Sequence, residues 1–278
     1  MLGSPAGAEA CDSAPFRLKR IGGREVTGLR WMAEQRRGAI AFSHGASSSP
    51  RKYDMLARQW CAAGFDVWAP MHVDSTEHPR NWEFAGLASW KARLEDMRAL
   101  SDDIGEPLVA AGHSYGALTA LVMGGAEGTA PEALSVPLRD QWTRCVVALS
   151  PPPPIKGLIE PEGYGCLAVP ALIQTGDRDE MPGWPSTPEG WRLHLPAFER
   201  ASSNGERYLL VLEGVDHYFG GAICEPDRET MPQYDELTIA AELSTLFLAA
   251  YFPQAHSGAR ARLHARLSST GPVRLVSK

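Results

Sequence analysis

Leu108-Val109-Ala110-Ala111-Gly112-His113-Ser114-Tyr115-Gly116-Ala117-Leu118-Thr119-Ala120-Leu121 is the stretch on which the fold turns. Its first four residues continue a run from Pro107 that is short and apolar, as a strand buried on both faces must be. Its last five form a helix-compatible apolar run. Between them stands G-x-S-x-G, a pattern common by chance but not in this setting. A strand that becomes a helix within one residue brings the positions two before and two after the serine together. Glycine at both, Gly112 and Gly116, removes the Cβ atoms that would collide. Ser114 is then held strained, its Oγ at the carboxyl edge of a sheet and the amino end of a helix. That helix end favours negative charge. The stretch predicts a nucleophile elbow with Ser114 as nucleophile; the alternative is an ordinary serine in a strand-to-helix turn.

On both sides, apolar strand-like runs alternate with amphipathic segments. That is the signal of an α/β protein with a mostly parallel central sheet and helices on both faces. Upstream, residues 16–21 and 25–32 flank Gly22-Gly23, which tolerates positive φ, and read as an antiparallel hairpin opening the sheet. Residues 38–43 and 65–70 read as strands. Between them Ser49 as N-cap and Pro50 in the first turn start a helix that runs to Ala63 and stops at Gly64. Residues 82–104 read as a helix with Leu87, Trp90, Leu94, Met97 and Leu100 on one face. Downstream, a helix over 115–124 leads to a loop-like stretch, 125–143. The strand over 145–150 must stop at the four prolines 151–154, which lack ladder N–H groups. Strands over 171–175 and 208–212 and a closing helix over 236–251 complete the pattern. The expected organisation is a flexible N-terminus (1–15), one α/β domain (16–252) and an arginine-rich, loosely attached tail (253–278).

A chain of 278 residues with 44% hydrophobic content can fill one sheet and its covering helices. Its net charge of -6 disfavours a nucleic-acid partner. No run of about 18 apolar residues exists, so no spanning helix is expected. The start of the chain lacks the basic and apolar regions of a signal peptide, which suggests a cytoplasmic protein; a trimmed precursor stays open. The 5 cysteines contain no C-x-x-C pair, so no structural zinc is expected. Cys61 and Cys145 read as core thiols and the set as that of a reducing compartment, with one pair, such as Cys166–Cys224, left open for an exported form. No dinucleotide fingerprint, P-loop or H-E-x-x-H occurs, so neither cofactor nor metal is expected.

With its elbow in this setting, the sequence resembles the α/β-hydrolase family from about residue 16 to 251. It is most similar to bacterial esterases with a small lid or none, including dienelactone-hydrolase-like and acetylhydrolase-like proteins. The resemblance implies a triad in the chain order nucleophile, acid, histidine. It places the base at His217, in Glu213-Gly214-Val215-Asp216-His217-Tyr218-Phe219-Gly220 after the last apolar strand. His194, His256 and His264 read as surface histidines. It places the acid in Gly176-Asp177-Arg178-Asp179, three residues after the glycine, at Asp179 rather than Asp177. Asp177 can instead bond turn N–H groups, and Asp216 can shape the histidine's loop. The oxyanion hole is implied at the backbone N–H groups of Tyr115 and Ala46, the latter in His44-Gly45-Ala46-Ser47, with His44 bracing the loop.

About twenty residues separate the strand at 145–150 from the next, too few for a large cap. An open cleft for a small or medium ester is therefore expected. Trp82, Phe84, Tyr164, Met181, Trp184 and Trp191 lie in the loops that would wall it, though such residues are more often core or rim. The leading reading is a serine carboxylic-ester hydrolase acting through an acyl-enzyme on a small-molecule ester. An acyltransferase or a lactone or dienelactone hydrolase would use the same triad. A non-catalytic binding protein on the same fold is the reading from another class.

Overall fold

A computed structural model describes residues 11–21, 23–84, 86–134, 136–204, 206–252 and 258–278. The short apolar runs form a nine-stranded sheet in the order β1-β2-β4-β3-β5-β6-β7-β8-β9. The strands are β1 (Ser13–Ile21), β2 (Arg24–Trp31), β3 (Gly38–Ser43), β4 (Phe65–Pro70), β5 (Leu108–His113), β6 (Thr143–Leu149), β7 (Ala171–Arg178), β8 (Arg207–Asp216) and β9 (Val273–Ser277). From β4 through β3, β5, β6 and β7 to β8 every pairing is parallel. The β1–β2 hairpin caps one edge, antiparallel to β4, and β9 caps the other, antiparallel to β8.

The helices are α1 (Asp54–Ala62), α2 (Trp90–Ile104), α3 (Tyr115–Met123), α4 (Pro196–Glu199), α5 (Tyr234–Tyr251) and α6 (Ala259–His264). They divide between two cores, one on each face of the sheet. Leu56 and Trp60 of α1, Phe247 and Leu248 of α5 and Leu263 of α6 pack on one face. Leu94 and Met97 of α2 and Leu118 and Leu121 of α3 pack on the other. Strand residues alternate between them: Ile40, Phe42 and Val109 face the first core, Ala39, Ala41 and Ala110 the second. This is why β3 and β5 are unbroken apolar runs rather than alternating ones.

Four expectations change. The helix expected over 82–104 begins only at Trp90, after two short 3₁₀ turns. Gly86, at φ +58°, interrupts the run, and Leu87 is left exposed. The helix expected from Ser49 opens as a 3₁₀ turn over Pro50–Tyr53 before α1. The described part of the expected tail, 258–278, is integral: α6 packs on the core and β9 extends the sheet. Finally, Cys61 is not a free thiol. It is bonded to Cys11, which pins the chain just before β1, and Cys145, Cys166 and Cys224 are free. Such a bond persists in oxidising surroundings, so the cysteine set no longer speaks for a reducing compartment. Among the described residues no helix is long and apolar enough to cross a membrane.

Candidate active site

Ser114 sits between the end of β5 and the start of α3 with φ 54° and ψ -120°. A side chain with a Cβ rarely adopts this conformation, and the surrounding packing must hold it there. The glycines show how. A Cβ on Gly112 would lie 2.2 Å from the Gly116 carbonyl oxygen, and one on Gly116 1.9 Å from that of Ser43. The elbow is thus jammed against the end of β3 as well as against itself. The Ser114 N–H donates to the Leu149 carbonyl at 2.8 Å, tying the turn to β6.

Asp179 and His217 follow β7 and β8 directly, so parallel strand order brings both to the carboxyl edge beside Ser114. His217 Nδ1 lies 2.6 Å from Asp179 Oδ1, which leaves Nε2 as the nitrogen available to the serine. His217 and Ser114 line the same cavity. Asp179 is fully buried and heavily bonded. Ser150 and Thr175 hydroxyls donate to its Oδ2 at 2.6 and 2.8 Å. Burial alone would raise its pKa, but the flanking His217 and His194 outweigh that and hold it well below the carboxylate range. Asp177 stands apart from this cluster. It accepts the Gly214 N–H at 2.7 Å and pairs with Arg274 of β9 at 2.8 Å. Asp216 accepts the N–H groups of Tyr218 and Gly220 and shapes the loop that carries His217.

His194 is not a surface residue. It is fully buried, its Nδ1 2.9 Å from the Pro151 carbonyl and its Nε2 2.9 Å from Asp179 Oδ1. The second contact has ion-pair reach but is too bent for a well-directed hydrogen bond. Both neighbours only accept, so the ring is suited to two N–H groups and a positive charge. Burial resists that charge, and Asp179 overcomes it, raising the pKa. A helical-looking polar segment concealed this: the burial depends on Pro151 and Asp179, both distant in sequence. Asp179, His194 and His217 are also metal-capable groups within 4.8 Å of one another. At 2.6 Å, however, Nδ1 and Oδ1 are spaced to share a proton; two ligands of a tetrahedral ion stand about 3.3 Å apart. His264 is exposed, and His256 lies outside the described residues.

The loop after β3 approaches Ser114 from the other side. His44 is buried and does brace it: Nδ1 contacts the Gly45 carbonyl at 2.8 Å, and Nε2 accepts the His72 N–H at 3.0 Å. Gly45 N–H donates to Tyr53 Oη at 3.0 Å, whereas Ala46 N–H has no partner among the described residues. Tyr115 N–H, the first of α3, precedes the intrahelical ladder. His113, the variable residue of the elbow pattern, joins the two sides. Its Nε2 lies 2.8 Å from the His217 carbonyl, so that nitrogen donates, and Nδ1 takes the Tyr53 hydroxyl at 2.9 Å. Burial, with His217 nearby, lowers its pKa to about 3, so it stays a neutral strut.

The cavity has a volume of about 360 Å³, with Leu87, Pro152, Ile155, Leu158 and Met181 as apolar walls. A more polar recess of about 340 Å³ adjoins it past His217, lined by Arg178, Glu180, Glu225 and Arg228. Of the loop residues expected to form walls, Met181 borders both and Trp184 the recess. Tyr164 is buried and bonds the Pro152 carbonyl at 2.9 Å, while Trp82 is exposed. The loop after β6 contributes Pro152, Ile155 and Leu158 to the cavity wall.

No protein-family model matches the chain, and no curated protein matches it by sequence. Solved structures do. A dienelactone hydrolase from Anabaena variabilis superposes with a TM-score of 0.61 at 18% identity, over 87% of this chain and 99% of that one. Thermogutta terrifontis esterase 2, in its form phosphorylated by paraoxon, gives 0.60 at 18% identity, over 91% and 100%. An esterase domain from a Rhodothermus marinus protein gives 0.57 at 14%, over 86% and 99%.

Proposed function

We propose that this chain, which has the α/β-hydrolase fold, is a serine carboxylic-ester hydrolase. The observation that carries the reading is Ser114, strained at the elbow, sharing a cavity with a histidine whose Nδ1 is bonded to a buried carboxylate. A pure binding protein has no use for that strain. Ser114 Oγ attacks the acyl carbonyl and passes its proton to His217 Nε2. Asp179 holds the ring in the tautomer that leaves Nε2 free and stabilises the imidazolium that forms. The oxyanion is taken by the N–H groups of Ala46 and Tyr115. His217 then protonates the departing alkoxide, and water repeats the sequence to release the acid. The apolar cavity suits a small or medium acyl group. The polar recess beyond His217 suits the alcohol, which must depart on the histidine's side. Esterases and dienelactone hydrolases among similar folds support ester chemistry and keep a lactone as the second substrate class.

Labelling with a fluorophosphonate probe should modify Ser114 and disappear in Ser114→Ala. A panel of simple esters and lactones, with and without an added alcohol, should show acid release as the main outcome. Transfer to the alcohol in preference to water would make the protein an acyltransferase. Absence of labelling in folded protein would remove the enzyme reading.

A further inference from the structure

We infer that Arg93, on α2, is the positioning residue of the oxyanion hole. The inference rests on reading the Ala46 and Tyr115 N–H groups as the oxyanion donors. Arg93 is fully buried and lies beneath the loop that carries Ala46. Its Nη1 donates to the His44 carbonyl at 2.7 Å and its Nη2 to the Gly45 carbonyl at 3.0 Å. A trans peptide unit is planar, with its C=O and N–H pointing in opposite directions. The Gly45 carbonyl is held by Arg93 together with His44 Nδ1 at 2.8 Å and the Ser48 N–H at 3.3 Å, Arg93 being the charged donor. A carbonyl gripped on that side turns the Ala46 N–H of the same unit the opposite way, toward the cavity that Ala46 lines. A charged donor on that oxygen also withdraws electron density from the unit and makes the N–H a better donor.

The neighbouring N–H groups of the loop are paired, Gly45 with Tyr53, Ser47 with Asp74 and Ser48 with the Gly45 carbonyl. Asp74 receives Arg93 Nε at 2.9 Å and Nη2 at 2.8 Å, and accepts the Ser47 N–H at 3.2 Å. Burial would raise the Asp74 pKa, but Arg93 overrides it and holds the carboxylate well below its ordinary range. The guanidinium carbon also lies 4.5 Å from the centre of the Tyr115 ring, the residue that supplies the second donor. One side chain thus touches both halves of the oxyanion hole without touching the substrate. Lysine could not replace it. A single ammonium cannot span two carbonyls and a bidentate carboxylate in one plane.

The test is Arg93→Lys, run beside wild type and Ser114→Ala. Because the donors act on the oxyanion, kcat should fall by about a hundred- to a thousandfold while KM moves only a few-fold. Affinity for a trifluoromethyl ketone, whose serine adduct carries an oxyanion, should fall by a similar factor. Affinity for the matching carboxamide should not. A folded Arg93→Lys with kcat within fivefold of wild type overturns the inference, as does a loss carried wholly by KM. If Arg93→Lys does not fold, Arg93→Met/Asp74→Leu carries the same test, since exchanging a buried ion pair as a unit for apolar side chains is often tolerated. The folded double variant should show the same kcat loss; kcat within fivefold overturns the inference. If Ser114→Ala remains active, the reading of the site itself fails. If Ser114→Ala is dead and the Arg93 variants turn over normally, only the clamp fails.

Discussion

Among the described residues two Ser, His and Asp groupings stand out: an outer one, whose Ser114 and His217 line one cavity and whose His217 is bonded to Asp179, and an inner chain, Ser43, His72 and Asp96, which is buried. In the inner chain, Ser43 Oγ is 2.9 Å from His72 Nε2, and His72 Nδ1 is 3.0 Å from Asp96 Oδ2. The atoms connect in the order a triad requires. Yet all three residues are sealed beneath the loop after β3, and Ser43 ends an ordinary strand. Asp96 also differs from Asp179. Burial pushes its pKa up to about 6 although Arg24 opposes this from 2.8 Å, whereas Asp179 stays ionised between two histidines. On the proposed reading, residue types and hydrogen bonds are therefore not enough to make a nucleophile. The outer chain adds a strained turn, a cavity and free N–H groups, and the inner chain supports the loop that supplies one of them.

The sharpest way to break this contrast is to delete each serine. Ser114→Ala should lower kcat by about a millionfold, and adding His217→Ala should cost little more, because members of a triad act as a unit. Ser43→Ala should leave kcat within about tenfold and instead lower stability by about 1–3 kcal/mol, the cost of an unsatisfied buried His72 nitrogen. Kinetics and urea unfolding on both variants decide it. Equal catalytic losses would erase the distinction.

The acids give the next largest effect. Asp179→Asn should cut turnover by about ten-thousandfold, while Asp177→Asn should stay within a few-fold, since Asp177 holds Gly214 and Arg274 rather than a catalytic ring. His194→Gln is the finer probe of the same carboxylate. His194 is one of the charges that hold the Asp179 carboxyl below its ordinary range, so removing it should raise the Asp179 pKa and move the acidic limb of kcat/KM to higher pH. A pH–rate profile on a non-ionising ester reads this, and a limb that stays in place would leave His194 a packing residue.

The smallest effect is on stability. Burial, the largest influence in each case, lowers the pKa values of His44, His72 and His113 in the folded protein. Below about pH 6.5 the unfolded chain takes up protons that these rings refuse, so stability falls as pH falls. Between pH 6.5 and 5 each such ring withholds about 2 kcal/mol. Asp96, with its raised pKa, works in reverse and returns about 1 kcal/mol over that interval. The stabilisation from His194 is already complete below its unfolded pKa and adds nothing there. Asp179, with its lowered pKa, loses its contribution only further down, below about pH 4. The urea midpoint should thus drop clearly from pH 7 to pH 5. An unchanged midpoint would mean that these buried rings do not titrate on unfolding as supposed.

What the sequence determined by itself is local and steric. Gly112 and Gly116 around Ser114, between an apolar run and a helix, specify a sharp turn because no other residue fits both positions. The unbroken apolar strands specify a sheet covered on both faces, and the Gly22-Gly23 region specifies the opening hairpin. Positions for Asp179, His217 and Ala46 came from family resemblance joined to strand order, and parallel strands bring their following loops to one edge. Only the tertiary structure could decide which distant groups meet there. Arg93 sits on an amphipathic helix, His194 in a polar segment, and Ser150 and Thr175 at strand ends; nothing in their local pattern separates them from solvent-facing residues. The Cys11–Cys61 bond and the placement of β9 are of the same kind. Each depends on contacts across tens or hundreds of residues. Hydrophobic periodicity records which face of an element is buried, not which polar group waits on the other side.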